Sequence, residues 1–322
     1  MSNNRENILK STNTRDIVYF LLKISVAGFL IYYLTSRFIT LDLSIFSVRN
    51  GIYLYLGAGL TLLNIFIQFS KWKLLCREYF IIRGDKLIFK SLLTGIAAGI
   101  FTPARLGEFL GRGVLLKNQE MKEVMLTTIY EKLLNLFWIL TAGVILLEFY
   151  LMRFLTLSLY YAIPVIFLTI TIFYYLIRYV KTVSITNEKI ERYTSRIPFL
   201  KKVLINLNEA KRIDDTVKRK LFYLSLGLYL TILVQYALFV SSYVGGYDFL
   251  NYLWTGGLVI FSTSIIPSVS IGDLGIRESA SIVILSSFGC TQQTGFNASL
   301  LLFMFNIMIP SVFGLYYLIT SK

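Results

Sequence analysis

The feature that most constrains this chain is a series of long apolar runs separated by short, polar and mostly basic segments. A helix that crosses a hydrocarbon layer of about 30 Å needs roughly 20 apolar residues. Runs of that kind occupy residues 17–35, 51–70, 124–148, 155–178, 221–243 and 296–320. Only 16% of the residues are charged, too few to cover a water-facing surface, and the mean hydropathy is +0.65. The chain therefore reads as all-α and as a polytopic integral membrane protein. Residues 1–16 form a polar N-terminal segment without the apolar core and cleavage site of a signal peptide. Residues 17–322 read as a single transmembrane domain, with halves at about 17–178 and 221–322 flanking a basic loop at 179–220.

The formal net charge of +14 sits between the apolar runs, as it does in the cytoplasmic loops of membrane proteins. That placement points away from nucleic acid. The chain has no histidine, which removes the commonest general base and metal ligand. Cys76 and Cys290 are far apart and lack metal-site spacing. No metal and no cofactor are expected.

Loop charge sets the topology. Segment 71–90 carries six basic residues (Lys71, Lys73, Arg77, Arg83, Lys86 and Lys90) against two acids, and 178–220 carries twelve against five. Segment 244–250 has Asp248 and no Lys or Arg. The two basic segments are expected on the cytoplasmic side and 244–250 outside. Two further apolar stretches, 87–101 and 251–266, are short for a span, and each runs into a proline-containing turn, at Pro103 and Pro267. If 87–101 crossed, the two basic segments would fall on opposite sides; if it turns back, they share one. The expectation is six full spans plus two re-entrant helical hairpins, with both termini cytoplasmic. Leu106-Gly107 and Leu274-Gly275 recur at matching places in oppositely opening hairpins, as in the inverted repeats of many transporters.

The hairpins hold most of the polar chemistry. In the first, Thr102 has N-cap chemistry and Pro103 suits a first helical position. Arg105 would then stand in the first turn, where the helix dipole disfavours a cation unless an anion binds there. Arg105, Glu108 and Arg112 share one helical face by spacing. In the second, Ser268, Ser270 or Asp273 is expected to cap the returning arm. Asp273 and Arg277 are spaced to pair, whereas Glu278 points elsewhere and needs another partner, for instance a basic group of the first hairpin. Glu131, Lys132 and Asn135 interrupt an apolar run; Glu131 and Asn135 share a face, and Lys132 is placed to snorkel. Pro103, Gly107, Pro267, Gly272 and Gly275 are expected to shape the turns. Gly95/Gly99 and Gly107/Gly111 read as close-packing pairs, and Asn64, Gln68, Gln235 and Asn306 as interhelical hydrogen-bonding residues. Asp214-Asp215 lacks a second acidic cluster and reads as a solvated face.

Three of these elements together resemble the transmembrane, flippase-type domain of lysylphosphatidylglycerol synthases and its stand-alone relatives. They are Thr-Pro-x-Arg-Leu-Gly-Glu at 102–108, Glu131-Lys132, and the Pro-Ser to Gly-x-Leu-Gly-x-Arg-Glu element at 267–278. The likeness runs from about residue 20 to 320. It departs at Asn135, where the family usually has Asp, and at Asp273, where a second Gly is common. The bifunctional members carry a C-terminal aminoacyl-tRNA-dependent transferase, and no such domain follows Lys322, so lipid aminoacylation is not expected. The resemblance implies movement of an anionic or phosphate-bearing lipid between leaflets of the cell (inner) membrane. Thr102, Arg105, Glu108, Arg112, Glu131, Ser268, Ser270, Asp273, Arg277 and Glu278 are the substrate-binding candidates. Membrane lipids are the expected partners, with a lipid-modifying synthase or glycosyltransferase as a further one. A membrane-embedded lipid-linked glycosyl or phosphoryl transferase and a membrane scaffold are the alternative readings. The missing histidines and the missing carboxylate cluster weigh against an enzyme.

Overall fold

A computed structural model describes residues 48–100, 102, 105–154, 164, 167, 171, 214–245, 247–266 and 275–320. Its elements are helices: α1 (Gly51–Tyr79), α2 (Asp85–Ile100), α3 (Gly107–Val114), α4 (Met121–Phe154), α5 (Asp215–Val244), α6 (Phe249–Ile265), α7 (Ile276–Ser287), α8 (Gln292–Phe303) and α9 (Ile309–Thr320). A π-helical turn, Met304–Met308, joins α8 to α9. Among the described residues, four helical stretches are long and apolar enough to cross a membrane: α1, α4, α5 and the composite Gln292–Thr320. The expected spans at 17–35 and 155–178 lie outside the described residues.

The bundle is turned inside out relative to a water-soluble protein. Along α1, Ile52, Tyr55, Leu62 and Phe66 are exposed, while Thr61, Asn64 and Lys71 are buried. Apolar side chains facing outward and polar ones facing inward suit a hydrocarbon solvent, where exposed polar groups are costly and exposed Leu or Phe are not.

The two short apolar helices each pair with the helix that follows, giving a first and a second helical hairpin. α2 packs along α3, and α6 packs along α7. In the first hairpin the glycines serve the packing. A Cβ on Gly107 would fall on the carbonyl oxygen of Ala98, and one on Gly111 would lie 2.8 Å from the carbonyl oxygen of Thr94. Gly107 is therefore the first residue of α3 rather than a turn residue: the constraint on it is the neighbouring backbone. Gly275 precedes α7 with φ +98°, a conformation that glycine adopts at little cost. Gly107→Val is expected to unseat the first hairpin, because a backbone carbonyl cannot yield as a side chain can. Such overpacking costs about 1–3 kcal/mol or more, and a lower unfolding temperature in detergent would report it.

Two element boundaries differ from the sequence reading. The run at 51–70 continues as helix to Tyr79, so Lys71 is a helical residue rather than a loop residue. Trp72, Leu75 and Cys76 are all fully buried and prolong the packed face. The last span is broken, because Pro310 has no N–H to give the Asn306 carbonyl, the acceptor four residues back. The backbone widens just before it, and the Ile309 N–H bonds Met304 instead.

That break sits at a junction. α8 packs on α7 of the second hairpin, and α9 packs on α2 of the first. Phe303, at the end of α8, clusters with Ile100 at the tip of α2 and lies under the Arg277 guanidinium at 5.1 Å. One helix thus touches both hairpins on either side of a π turn. Gln235 of α5 fastens the same place: its Nε2 donates to Gly57 O and Thr61 Oγ1, both at 3.0 Å, and its Oε1 accepts from Asn306 Nδ2 at 2.7 Å. Gln235 and Asn306 are interhelical hydrogen-bonding residues, as expected, whereas Gln68 bonds Asn64 within α1 at 2.5 Å.

Candidate functional site: a buried ion cluster at the first hairpin

The first hairpin, α1 and α4 together enclose an ion cluster. Arg112 lies at its centre, on the last turn of α3, fully buried. Its Nη2 donates to Glu108 Oε1 at 2.8 Å and its Nη1 to Glu131 Oε2. The guanidinium stacks on the Trp72 ring at 4.6 Å. Serine and threonine side chains of α2 hold the same helix by its backbone: Ser91 Oγ donates to Arg112 O at 2.6 Å, and Thr94 Oγ1 to Gly111 O at 3.1 Å. Trp72 Nε1 in turn donates to Ser91 Oγ at 3.3 Å.

Around this centre, α1 and α4 add further charge. Lys71 Nζ, with no exposure at all, lies 3.4 Å from Glu131 Oε1 and donates to Asn135 Oδ1. Lys132 Nζ bonds Glu108 Oε1 at 2.8 Å, and Arg105 Nη2 approaches Glu108 Oε2 at 3.4 Å. Glu108 and Glu131 are each 1% exposed. The Lys132 and Arg105 side chains keep 31% and 25% exposure and so form the open side of the cluster. Charges placed in apolar surroundings persist only when paired and hydrogen-bonded, and both carboxylates here have several cationic partners. The cations nevertheless outnumber them: Lys71, Arg105, Arg112 and Lys132 face Glu108 and Glu131, a formal excess of two positive charges.

The structure places the predicted residues as follows. Arg105, Glu108 and Arg112 meet on one face, with Glu108 bridging the two arginines. Glu131 and Asn135 line the same space, joined through Lys71. Lys132 pairs with Glu108 rather than merely snorkelling. Thr102 is not the N-cap, because α3 begins later than expected, behind Leu106; its Oγ1 instead accepts the Gly107 N–H at 2.5 Å. Arg105 therefore stands in the connection before α3, not in its first turn, with φ +56°. A non-glycine residue in that region is strained, and such strain concentrates at functional sites. Pro103, Pro267, Ser268, Ser270, Gly272 and Asp273 lie outside the described residues.

The second hairpin corrects another expectation. Glu278 finds its partners within its own half of the chain rather than in the first hairpin. Its Oε2 accepts the Gly275 N–H at 2.5 Å, its Oε1 lies 3.4 Å from Arg277 Nη2, and Ser299 Oγ donates to Oε1 at 3.5 Å. A carboxylate at the third helical position reaches back to the free N–H groups of its own helix start, which is why the local partner wins. Arg277 and Glu278 are 8% and 5% exposed and together carry no excess charge. Lys71 and Trp72 were not among the sequence candidates. The signal that could have found them is the apolar spacing that continues past residue 70, which carries Lys71 inside the helix.

Asp215 is exposed and pairs with Lys218 at 3.0 Å, consistent with a solvated face. Among the described residues no group of His, Cys, Asp and Glu is arranged to hold a metal ion.

Compared with known proteins, the chain matches the family described as Lysylphosphatidylglycerol synthase TM region over residues 19–314. No individual curated protein and no solved structure matches it.

Proposed function

Because this chain belongs to the Lysylphosphatidylglycerol synthase TM region family, we propose that it moves a phosphate-bearing or otherwise anionic lipid between membrane leaflets. The observation that carries this reading is the cationic excess of the buried cluster. Two positive charges beyond the carboxylates, inside an apolar bundle, favour a ligand that brings negative charge. The open side of the cluster presents an arginine and a lysine, the two side chains that bind phosphate best: Arg105 through its planar fork and Lys132 as a point charge. The acyl or prenyl chains stay in the bilayer along the exposed apolar faces of the helices.

In this reading the protein has six full spans and two re-entrant hairpins in an inverted repeat. Both termini are cytoplasmic, and it resides in the cell (inner) membrane. The hairpins meet around Phe303, so the Arg277–Glu278 pair is the second polar station on the lipid's path. Thr102, Arg105, Glu108, Arg112 and Glu131 form the first, and Ser268, Ser270 and Asp273 belong with the second.

The test is reconstitution of the pure protein in liposomes with fluorescent phospholipids and polyprenyl phosphates. Translocation above that of empty liposomes is expected, and Arg105→Gln combined with Lys132→Gln should lower it at least ~10-fold by removing two charge-assisted contacts of roughly 1.5–3 kcal/mol each. No translocation across the whole lipid panel overturns the proposal.

A further inference from the structure

α4 carries a second arginine whose surroundings the ion cluster leaves unexplained. Arg153 stands in the last turn of α4, where a cation complements the helix dipole. At 1.5 Å per residue it lies about 33 Å along that helix from Glu131, close to the thickness of a hydrocarbon layer. Arg153 therefore stands at the C-terminal end of a membrane-crossing helix whose N-terminal third holds the ion cluster.

Arg153 is built into a cage. Its guanidinium carbon lies 5.4 Å from the Phe154 ring centroid, 5.6 Å from that of Trp254 and 5.3 Å from that of Phe288. Three elements thus supply the rings: the end of α4, the start of α6 and the residue after α7. The rings are themselves fixed. Trp254 Nε1 donates to Leu146 O at 2.9 Å, Phe154 meets Phe288 edge-on at 5.0 Å, and Trp254 meets Phe288 edge-on at 5.3 Å. Tyr150 packs at a tilt against Phe154, ring centroids 4.8 Å apart, and ties its hydroxyl to Ser287 Oγ at 2.6 Å.

Among the described residues the guanidinium commits one of its five N–H donors, from Nη1 to Asn251 Oδ1 at 3.3 Å. No carboxylate among the described residues pairs with it, and the residue is exposed. An arginine that only reached for headgroups would keep its side chain free. Held on ring faces instead, its planar fork is oriented in advance, as bidentate recognition of a phosphate requires.

We propose that Arg153, caged by Phe154, Trp254 and Phe288, is a phosphate-recognition site for a phosphodiester lipid headgroup at the membrane face opposite the ion cluster. It rests on the transport reading only for its role as the second docking point of the transported lipid; binding itself is independent of transport.

The test is protection of Arg153 from phenylglyoxal in the detergent-solubilised full chain, read by peptide mass spectrometry. The competitors are short-chain phosphatidylglycerol, short-chain phosphatidylcholine and inorganic phosphate. Protection by the phospholipids at concentrations where inorganic phosphate does nothing is expected and identifies a lipid headgroup. Equal protection by inorganic phosphate keeps the phosphate chemistry but overturns the lipid assignment. No protection by any of the three overturns the site. Trp254→Leu should weaken protection about 2–5-fold, as expected for loss of one cation–π contact of an exposed arginine, while Cys76 stays closed to maleimide and so reports an intact fold. An Arg153 protected as well in Trp254→Leu as in the parent overturns the cage. Protection at Arg153 without translocation in liposomes would sink the transport reading and leave this site standing.

Discussion

Replacing Glu131 with leucine is expected to destabilise the protein by about 3–5 kcal/mol, the usual cost of leaving a buried charge without its partner. Glu131 is the shared carboxylate of Lys71 and Arg112, both fully buried. Its loss raises the cationic excess of the cluster from two charges to three. Arg112 keeps Glu108 at 2.8 Å, but among the described residues Lys71 keeps only Asn135. Lys71→Met in the same chain should recover much of the loss, since it removes the cation that Glu131→Leu strands. The pair should therefore be non-additive by a margin of roughly 1–3 kcal/mol. Cys76 is fully buried, so maleimide labelling on heating, in a Cys290→Ser background, follows unfolding. Additive effects of the two substitutions would contradict the cluster as drawn.

The second large effect is expected at the π turn, and in function more than in stability. Asn306→Leu removes one hydrogen bond to Gln235, worth about 0.6 kcal/mol on average and at most about 1.7 in a membrane. A stability loss below ~2 kcal/mol is therefore expected. Translocation should nonetheless fall about 10-fold, the equivalent of roughly 1.4 kcal/mol in the barrier. The reason is positional. α8 carries the second hairpin and α9 the first, and the turn between them is clamped to α1 through Gln235, Gly57 and Thr61. Freeing the turn lets the two hairpins move without one another. Pro310→Ala tests the same link from the backbone side, because it restores the N–H that the Asn306 carbonyl lacks and favours a regular helix. Unchanged translocation in both variants would remove the π turn from the transport pathway.

Much of the candidate site was legible before any coordinates. Glu108 and Arg112 are placed together by helical spacing alone, and Glu131 and Asn135 likewise, whereas Arg105 reaches Glu108 from the connection before α3. These pairs are local, and local geometry follows from a 3.6-residue period. Lys71 shows the limit. Read by charge it belongs to a basic loop, and its place in the cluster depends on contacts 60 and 64 residues distant in sequence, with Glu131 and Asn135. Glu278 shows the converse error. A long-range partner was expected, and the carboxylate turned back to the N–H of Gly275 three residues away, because a free helix start is the nearest source of positive potential.

The membrane setting, the helical class and the packing glycines of the first hairpin were decided by the chain itself, for one physical reason. Hydrocarbon forces each segment to satisfy its own backbone, so length, polarity and small residues translate directly into spans, turns and close contacts. Only the tertiary structure decided which charges meet. The pairing of Lys71 with Glu131, the cage around Arg153 and the clamp of Gln235 on Asn306 each join elements far apart in sequence. In each, a buried or interfacial polar group takes whichever partner the fold brings within reach, and sequence spacing carries no information about that.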